Sequence, residues 1–507
     1  MANVTGVYSS IPDPSAVINL LAFICTLDCW QVARSKVGPP VLTMHSALLV
    51  DEIFRQILDE CDDLSDPSSR TTLSRLSRCC QAWKDAALDQ LWRRLPSISP
   101  LLSLIPGHVF VNGQHTLARH AGIILLDELS TFHSYARRVH RLVWTAETHI
   151  CRHLASYLED MRIHSSTGTI FPQLASFHGT FVVTEDDVVP WSIVLSGSLR
   201  HVDIHGRFKL SKGGEEALSN WLTRLSCVAR LDSFNYWGCA RKTLGQTISS
   251  LSTVRSMSLR TGSQLGFHEG TLAGIATFPR LHTLKLTLHD ISAAQFFAAL
   301  NDFTGPIFPA LQKLHIDTSL ELLDCIIEHL PQDTLRSLHI EFPGSTVSNS
   351  MMPVLAKIAD RAADTLQDLT IIHDVETDDI QYSLENEDDL HDPSVIARYG
   401  DLFWTIDTLQ PLAKLRALRH FDLDTILPPL LRHKDVDELL GWWPRAERVH
   451  LAFGSREEDA SPFAKNIALQ LEQARGIKSL VLPKRDALGR PFDIAALSRC
   501  STPAPKI

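Results

Sequence analysis

Two short clusters in this chain carry the residue types that hold metal ions. Cys25-x-x-x-Cys29 sets two thiols one helical turn apart, and His149-Ile150-Cys151-Arg152-His153 offers two imidazoles and a thiol within five residues. A closed tetrahedral zinc site needs four ligands, and neither cluster has a second pair at finger spacing. Buried thiols and surface histidines are therefore expected, and no metal or cofactor is assigned. His268-Glu269 opens like the zinc-protease pair H-E-x-x-H, but the closing position holds Leu272. No phosphate-cradling P-loop, no dinucleotide-binding glycine turn and no nucleophile elbow occurs along the chain. No catalytic residue is assigned, and the chain reads as a non-enzyme.

The elements around these residues point to binding. Apolar residues make up 44% of 507 positions, enough for a large core. The 48 basic against 58 acidic residues leave a formal charge of −10, so no global positive field exists to hold nucleic acid or an anionic membrane. The longest unbroken apolar run, Leu20 to Cys25, is six residues, far short of the roughly 20 a spanning helix needs. Ten scattered cysteines are unlike a secreted disulfide framework and read as reduced thiols of the cytoplasm or nucleus.

Residues 1–43 hold Pro12, Pro14, Pro39 and Pro40 without a clear pattern, and Met44 stands where ordered patterning begins. From there the spacing turns helical. Leu49, Ile53, Phe54, Ile57 and Leu58 form one stripe of a 3.6-residue period; Leu73, Leu76, Cys79 and Cys80 form a second; Trp83, Ala87, Leu91 and Trp92 a third. Three short helices in about 50 residues bury little surface alone, so a partner or the rest of the chain must cover them.

The stretch Leu49-Val50-Asp51-Glu52-Ile53-Phe54, then Leu76-Ser77-Arg78-Cys79-Cys80-Gln81-Ala82-Trp83, closing with Leu91-Trp92, resembles an F-box. Val50 stands where that family usually has proline, and Cys79 where valine is commonest. The resemblance implies a three-helix module over 44–97 that docks on the adaptor subunit of SCF-type cullin–RING ubiquitin ligases and, through it, on cullin. Leu49, Val50, Ile53, Leu76, Cys79, Trp83, Leu91 and Trp92 match the family's anchor positions.

After a stretch expected to be a helical linker (98–135), the pattern changes to short segments of form L-x-x-L-x-L across 136–500. They start at Val139, Leu174, Leu199, Leu231, Val254, Leu281, Leu311, Leu335, Leu366, Leu418, Ala446 and Ile477. The steps from Leu174 onward, 25, 32, 23, 27, 30, 24, 31, 52, 28 and 31, lie mostly near the strand-plus-helix period of leucine-rich repeats. The lead-in Phe-Pro-x-Leu recurs in phase at Phe171, Phe278 and Phe308. The expected fold is thus α/β: an N-terminal three-helix F-box followed by an irregular leucine-rich-repeat solenoid, similar to the large fungal F-box families. The asparagine that usually closes each repeat is missing, with His289, Ser319, Pro343, Asp374 and Gly454 in its place and only Cys239 fitting, so the turns must satisfy their backbone otherwise.

The 52-residue step contains nine acids and no Lys or Arg between His373 and Asp392, expected to be a solvated loop. Residues 501–507 read as a tail. In L-x-x-L-x-L the strand period of two turns the fourth and sixth positions inward and leaves the fifth on the open face. That register names Ser258, Lys285, His315, His339, Thr370, Asp422 and His450 as a row for capturing a protein substrate, with Lys313, Asp368 and Arg419 beside it. Its three histidines, if unperturbed, would make capture sensitive to pH between about 6 and 7.5. The resulting reading is a substrate receptor of a ubiquitin ligase; the alternative is a protein-binding scaffold whose F-box-like segment is a vestigial cap.

Overall fold

The computed structural model describes Arg55, Leu58, residues 67–79 and 81–482, apart from 119–125, 146–147, 165–167, 182–188, 207–211, 262–267, 289–290, 301–306, 344–347, 375–398, 426, 428 and 454–476. The expected extension (1–43), the tail, Leu49, Val50, Ile53 and most of the acidic stretch lie outside the described residues. The chain divides into two compact units, Met1–His178 with Val188–Ser198, and Gly179–Asp187 with Leu199–Ile507.

Among the described elements the first unit holds a helical hairpin, α1 (Pro67–Cys79) and α2 (Gln81–Arg93), then β1 (Arg94–Leu95), α3 (Ser99–Leu102), β2 (His108–Val111), β3 (Gln114–Leu117), α4 (Ser130–Ala136), β4 (Arg141–Trp144), β5 (His149–Ile150), α5 (Arg152–His164) and the start of β6 (Ser176–Phe181), whose last three residues belong to the second unit. Leu58, Leu73, Leu76, Trp83, Ala86 and Ala87 form its helical core, with Leu91 packed at the margin. Arg138, beyond α4, ties the hairpin down: it bonds Asp85 Oδ1 at 3.0 Å and also the Asp89 carboxylate, which Arg55 meets from the other side at 3.2 Å. Parallel pairing starts here, with β1 beside β4. The stretch expected to be a helical linker instead contains an antiparallel hairpin of β2 and β3. Asn112 and Gly113 turn it with φ of 51° and 79°, and such an Asn-Gly pair takes that left-handed backbone at little cost.

The second unit alternates strands and helices: β7 (His201–Gly206), α6 (Lys212–Val228), β8 (Ser233–Trp237), α7 (Lys242–Ile248), β9 (Ser256–Arg260), α8 (Glu269–Ala276), β10 (Thr283–Leu288), α9 (Ala293–Leu300), β11 (Lys313–Thr318), α10 (Leu320–His329), β12 (Ser337–Pro343), α11 (Met351–Ala362), β13 (Asp368–Asp374), α12 (Ile406–Leu409), β14 (His420–Thr425), α13 (His433–Trp442), β15 (Arg448–Phe453) and β16 (Ser479–Val481). The strands pair in parallel and in chain order from β7 to β16. This is the strand-plus-helix solenoid of a leucine-rich-repeat-type fold, in which each turn buries its apolar residues against its neighbours.

The repeat sequence explains this stacking. From Leu199 to Ala446 its first, fourth and sixth positions are buried; in the turn at Leu281, for example, Leu281, Leu284 and Leu286 are each fully enclosed. Its second position is polar, and its carbonyl accepts two backbone N–H groups from the next strand. Arg200 receives Asp232 and Ser233 at 2.8 and 3.0 Å, and the same double acceptance recurs at Asp232, Arg255, His282, Gln312, Arg336, Gln367, Arg419 and Glu447. His140 does likewise in the first unit, for Ala175 and Ser176.

In three of the repeats a buried threonine stands at the eighth position, Thr261, Thr318 and Thr425. Thr318 Oγ1 donates to the Leu288 carbonyl at 2.6 Å, and Thr261 Oγ1 to that of Thr287 at 3.3 Å; Thr425 Oγ1 bonds the Leu427 carbonyl. In the turn at Leu311 the ninth position, Ser319, caps α10 by accepting from the Leu322 N–H. The phenylalanines of the Phe-Pro-x-Leu lead-ins are all buried, and Phe308 adopts a φ of 51° while its N–H donates to the Ala276 carbonyl at 2.6 Å.

The insertion in the 52-residue step is anchored on its returning side. Phe403 and Trp404 are enclosed, Ser348 Oγ donates to the Asp401 and Phe403 carbonyls at 2.9 and 2.6 Å, and Trp404 Nε1 donates to His373 Nδ1 at 3.1 Å. His373, expected to open the acidic loop, is therefore a buried strand residue. Leu338→Ala should cost about 2–5 kcal/mol, as for a fully enclosed leucine. Thr318→Val should cost about 1 kcal/mol by orphaning the Leu288 carbonyl. Both are read from the urea unfolding midpoint, and a wild-type midpoint for Thr318→Val would remove the threonines from the account of turn closure.

Candidate functional site

Strand pairing sets three parallel rows of side chains on the face of the second unit's sheet opposite its buried leucines. The middle row runs Asp203, Asn235, Ser258, Lys285, His315, His339, Thr370, Asp422, His450 and Val481, each directly paired with the next. All seven residues named from the repeat register thus share one line. Lys285 is exposed and the other six are half-buried.

On one side lies the row of third positions. Lys313 pairs with Ser337 and Ser337 with Asp368, as the pattern requires, but Asp368 pairs with His420 and not with Arg419. Arg419 occupies the second position of its repeat, where its carbonyl serves the ladder and its guanidinium lies 3.7 Å from Glu447. His420 Nδ1 meets the Asp368 carboxylate directly.

The other flanking row, at the seventh position, was not named from the sequence, although the same period of two extends to it. It holds His205, Trp237, Arg260, Thr287, Asp317, Glu341, Ile372, Asp424 and Ala452. Arg260 stacks over the Trp237 ring at 4.5 Å, and His205 meets the same ring edge-on. The face is a mosaic of both charges with imidazole, amide and hydroxyl groups between them, suited to polar recognition of another protein's surface.

His315 and His450, both in the middle row, are shifted in opposite directions. Burial, with His339 and Lys285 beside it, pushes His315 down to about 4, so it is neutral at physiological pH. His450 moves the opposite way: its Nδ1 bonds Asp422 Oδ1 at 3.0 Å, which outweighs burial, and the Asp422 and Asp424 charges add to the upward shift. Burial works against ionisation of Glu341, yet the hydrogen bond from His339, with the two imidazoles beside it, holds its carboxyl below the usual range. The expected common window between about pH 6 and 7.5 is replaced by residue-specific behaviour.

In the first unit the anchors matched to the adaptor-docking family divide by burial. Leu76 and Trp83 are core residues of the helical hairpin. Leu91 and Trp92 are half-buried, and the Trp92 ring packs on Tyr135 with centroids 4.5 Å apart. Cys79, placed in the apolar stripe by its spacing, is exposed at the end of α1 with its thiol against the Arg75 carbonyl. Leu91, Trp92 and Leu95 border a cleft of about 520 Å³ whose rim carries Arg70, Arg75 and Arg78.

The metal-like sequence clusters have other roles. Cys25 and Cys29 lie outside the described residues. Cys151 places its thiol 3.1 Å from Thr116 Oγ1, and among the described residues His149, Cys151 and His153 do not converge. His268 caps α8, its Nδ1 accepting from the Gly270 N–H at 3.2 Å. Among the described residues no helix is long and apolar enough to cross a membrane.

No family model and no curated protein matches the chain. Among solved structures it is similar to one of the yeast Rad7–Elc1 complex, at 13% identity and a TM-score of 0.40 over 89% of this chain and 97% of that one. It is also similar to one from the Toll–Spatzle complex of Drosophila, at 14% identity and 0.29 over 65% and 45%. A leucine-rich-repeat protein of Leptospira interrogans matches at 9% identity and 0.21 over 70% and 93%. Likeness at these scores carries no argument, and the repeat architecture rests on the strand register itself.

The raised His450 gives a signed pH dependence. Its protonated form is favoured in the fold, so its pairing with Asp422 contributes stability that is fully present below the ordinary histidine value and is lost as pH rises through the raised one. In NMR titration His450 should titrate above the ordinary 6.5, and Asp422→Asn should bring it down. The melting deficit of Asp422→Asn should be larger near about pH 6 than near about pH 8; equal deficits at both would remove this pair from the electrostatic account.

Proposed function

We propose that the chain is a non-catalytic substrate-recognition subunit of an SCF-type cullin–RING ubiquitin ligase. Its N-terminal module docks on the adaptor, and the open face of its repeats captures a protein substrate. The observation that carries the reading is the line from Ser258 to His450: polar and charged side chains on successive parallel strands, held in register by one backbone pattern. A surface of this length fits another protein better than a small molecule, and parallel-strand faces of solenoids are common binding surfaces.

The docking half of the proposal draws on the F-box resemblance and on the cleft edged by Leu91 and Trp92 with its arginine rim. An apolar floor ringed by three cations suits a partner with apolar anchors and acidic flanks. Leu76 and Trp83 hold the hairpin together, and Leu91 and Trp92, with Leu49, Val50 and Ile53, face the adaptor. Cys79 adds an exposed small side chain at the end of α1. Tethering a substrate beside the ubiquitin-charged partner raises the local concentration of its lysines, which is the subunit's whole contribution to transfer.

In the full-length chain, Leu49→Ala with Trp92→Ala should lose at least about 2 kcal/mol of adaptor affinity, roughly 30-fold, by removing an apolar anchor and an aromatic one. Lys285→Glu with Thr370→Arg should leave adaptor co-purification unchanged and abolish recruitment of the proteins that the wild type brings down under proteasome inhibition. Unchanged adaptor capture by the first variant, or no capture by the wild type, would favour the scaffold with a vestigial cap. Unchanged recruitment by the second would move the substrate surface off this face.

A further inference from the structure

One cluster on the open face has a geometry that side-chain hydrogen bonding alone leaves incomplete. His315 on β11 and His339 on β12 are directly opposed in the ladder, and Glu341 lies two residues beyond His339 on the same face. The two imidazole rings stack with centroids 3.9 Å apart and planes 17° from parallel. Both Nε2 atoms converge on one carboxylate oxygen, Glu341 Oε1, at 2.7 Å from His315 and 2.9 Å from His339. His339 makes a well-directed hydrogen bond there. His315 Nε2 is sealed from solvent and, despite its short distance, has no hydrogen bond of acceptable angle. The three ligand atoms all lie within 4.8 Å of one another.

We propose that His315, His339 and Glu341 form a three-ligand Zn²⁺ site on the repeat face, with the fourth coordination position open to water. Two imidazole nitrogens and one carboxylate oxygen suit a borderline cation, whereas Mg²⁺ and Ca²⁺ prefer oxygen ligands. Metal–ligand bonds of about 2.0–2.2 Å in a tetrahedron set the ligand atoms about 3.3 Å apart. The observed separations from Oε1 are 2.7 and 2.9 Å, so to admit the ion the ligands spread by about half an ångström and the stacked rings tilt until both Nε2 lone pairs meet at one point. A cation at the centre would also satisfy the enclosed His315 Nε2.

The setting is electrically mixed. Lys285 opposes His315 on the preceding strand, while Asp317, opposed to Glu341, supplies a second carboxylate that offsets it. The three side chains are each 24–35% exposed, which leaves the outward position reachable. Zinc here would fix two neighbouring repeats to each other at the centre of the face.

The site is independent of the adaptor reading and is tested with the metal alone. The full-length chain, freed of metal by chelation, is titrated with Zn²⁺ by calorimetry and with Co²⁺ by visible absorption, whose intensity reports tetrahedral coordination. One equivalent should bind in the wild type, and either His339→Ala or Glu341→Gln should weaken that equivalent at least tenfold, which is about 1.4 kcal/mol. His420→Ala and His450→Ala, on the same face outside the cluster, should leave it unchanged. Circular dichroism checks that each variant is folded; if His339→Ala is not, the near-isosteric Glu341→Gln decides. Absence of a bound equivalent in the wild type, or wild-type binding by Glu341→Gln, would overturn the site and leave the cluster a hydrogen-bonded pair of repeats.

Discussion

The structure hangs on the carbonyl at the second position of each repeat. By accepting two N–H groups from the following strand, it fixes both the spacing and the phase of every parallel pair, nine times in succession between Arg200 and Ser479. In a sheet a slip of one residue exchanges the two faces, so this lock decides together which leucines are enclosed and which polar side chains line up outside. Packing reinforces it: Leu281, Leu284 and Leu286 have no room to exchange places with Lys285. The second position is polar throughout, Arg, Asp, His, Gln or Glu, because its side chain stays at the rim while its backbone does the joining.

Much of the repeat unit was legible because one local pattern decides its secondary structure, burial and register at once. Counting from the first apolar residue located the strands and placed Ser258, Lys285, His315, His339, Thr370, Asp422 and His450 in one line. The same arithmetic, carried one residue short at Leu418, gave Arg419 where His420 stands. The β2–β3 hairpin had a signal of its own in Asn112-Gly113 between apolar alternations, but its two strands are too short for the repeat template to register. The buried returning limb at Phe403 and Trp404 was hidden by its neighbours: an acidic stretch reads as solvated whatever apolar anchor follows it.

The electrostatics of the open face were the least legible part, for a geometric reason. A side chain on a parallel sheet answers to its neighbours across the strands and two residues along, and these come from three rows. His315 and His450 occupy equivalent positions in their repeats, yet one meets another imidazole, a lysine and Glu341, and the other meets Asp422 and Asp424. Their opposite shifts follow from those partners and not from position in the repeat. In the first unit, likewise, residue type could not separate core from margin: Trp83 and Trp92 share α2, yet the first is enclosed in the cluster with Leu73 and Leu76 and the second, half-buried, lies against Tyr135.

The missing asparagine ladder bears on how such a chain can change over generations. An asparagine ladder ties a side-chain amide to the backbone of a turn with a fixed conformation, and so holds repeats to nearly constant length. Here the second-position carbonyl holds each strand to the next and no shared side-chain tie fixes the return path: the threonine-closed turns at Val254, Leu311 and Leu418 take steps of 27, 24 and 28 residues, while the 52-residue step leaves from His373. Steps from 23 to 52 residues coexist in this solenoid, each strand landing in phase whatever precedes it. Segments can thus be gained or lost between strands without disturbing the stack, and the side of the solenoid away from the ladder is free to diversify while the open face keeps its alignment.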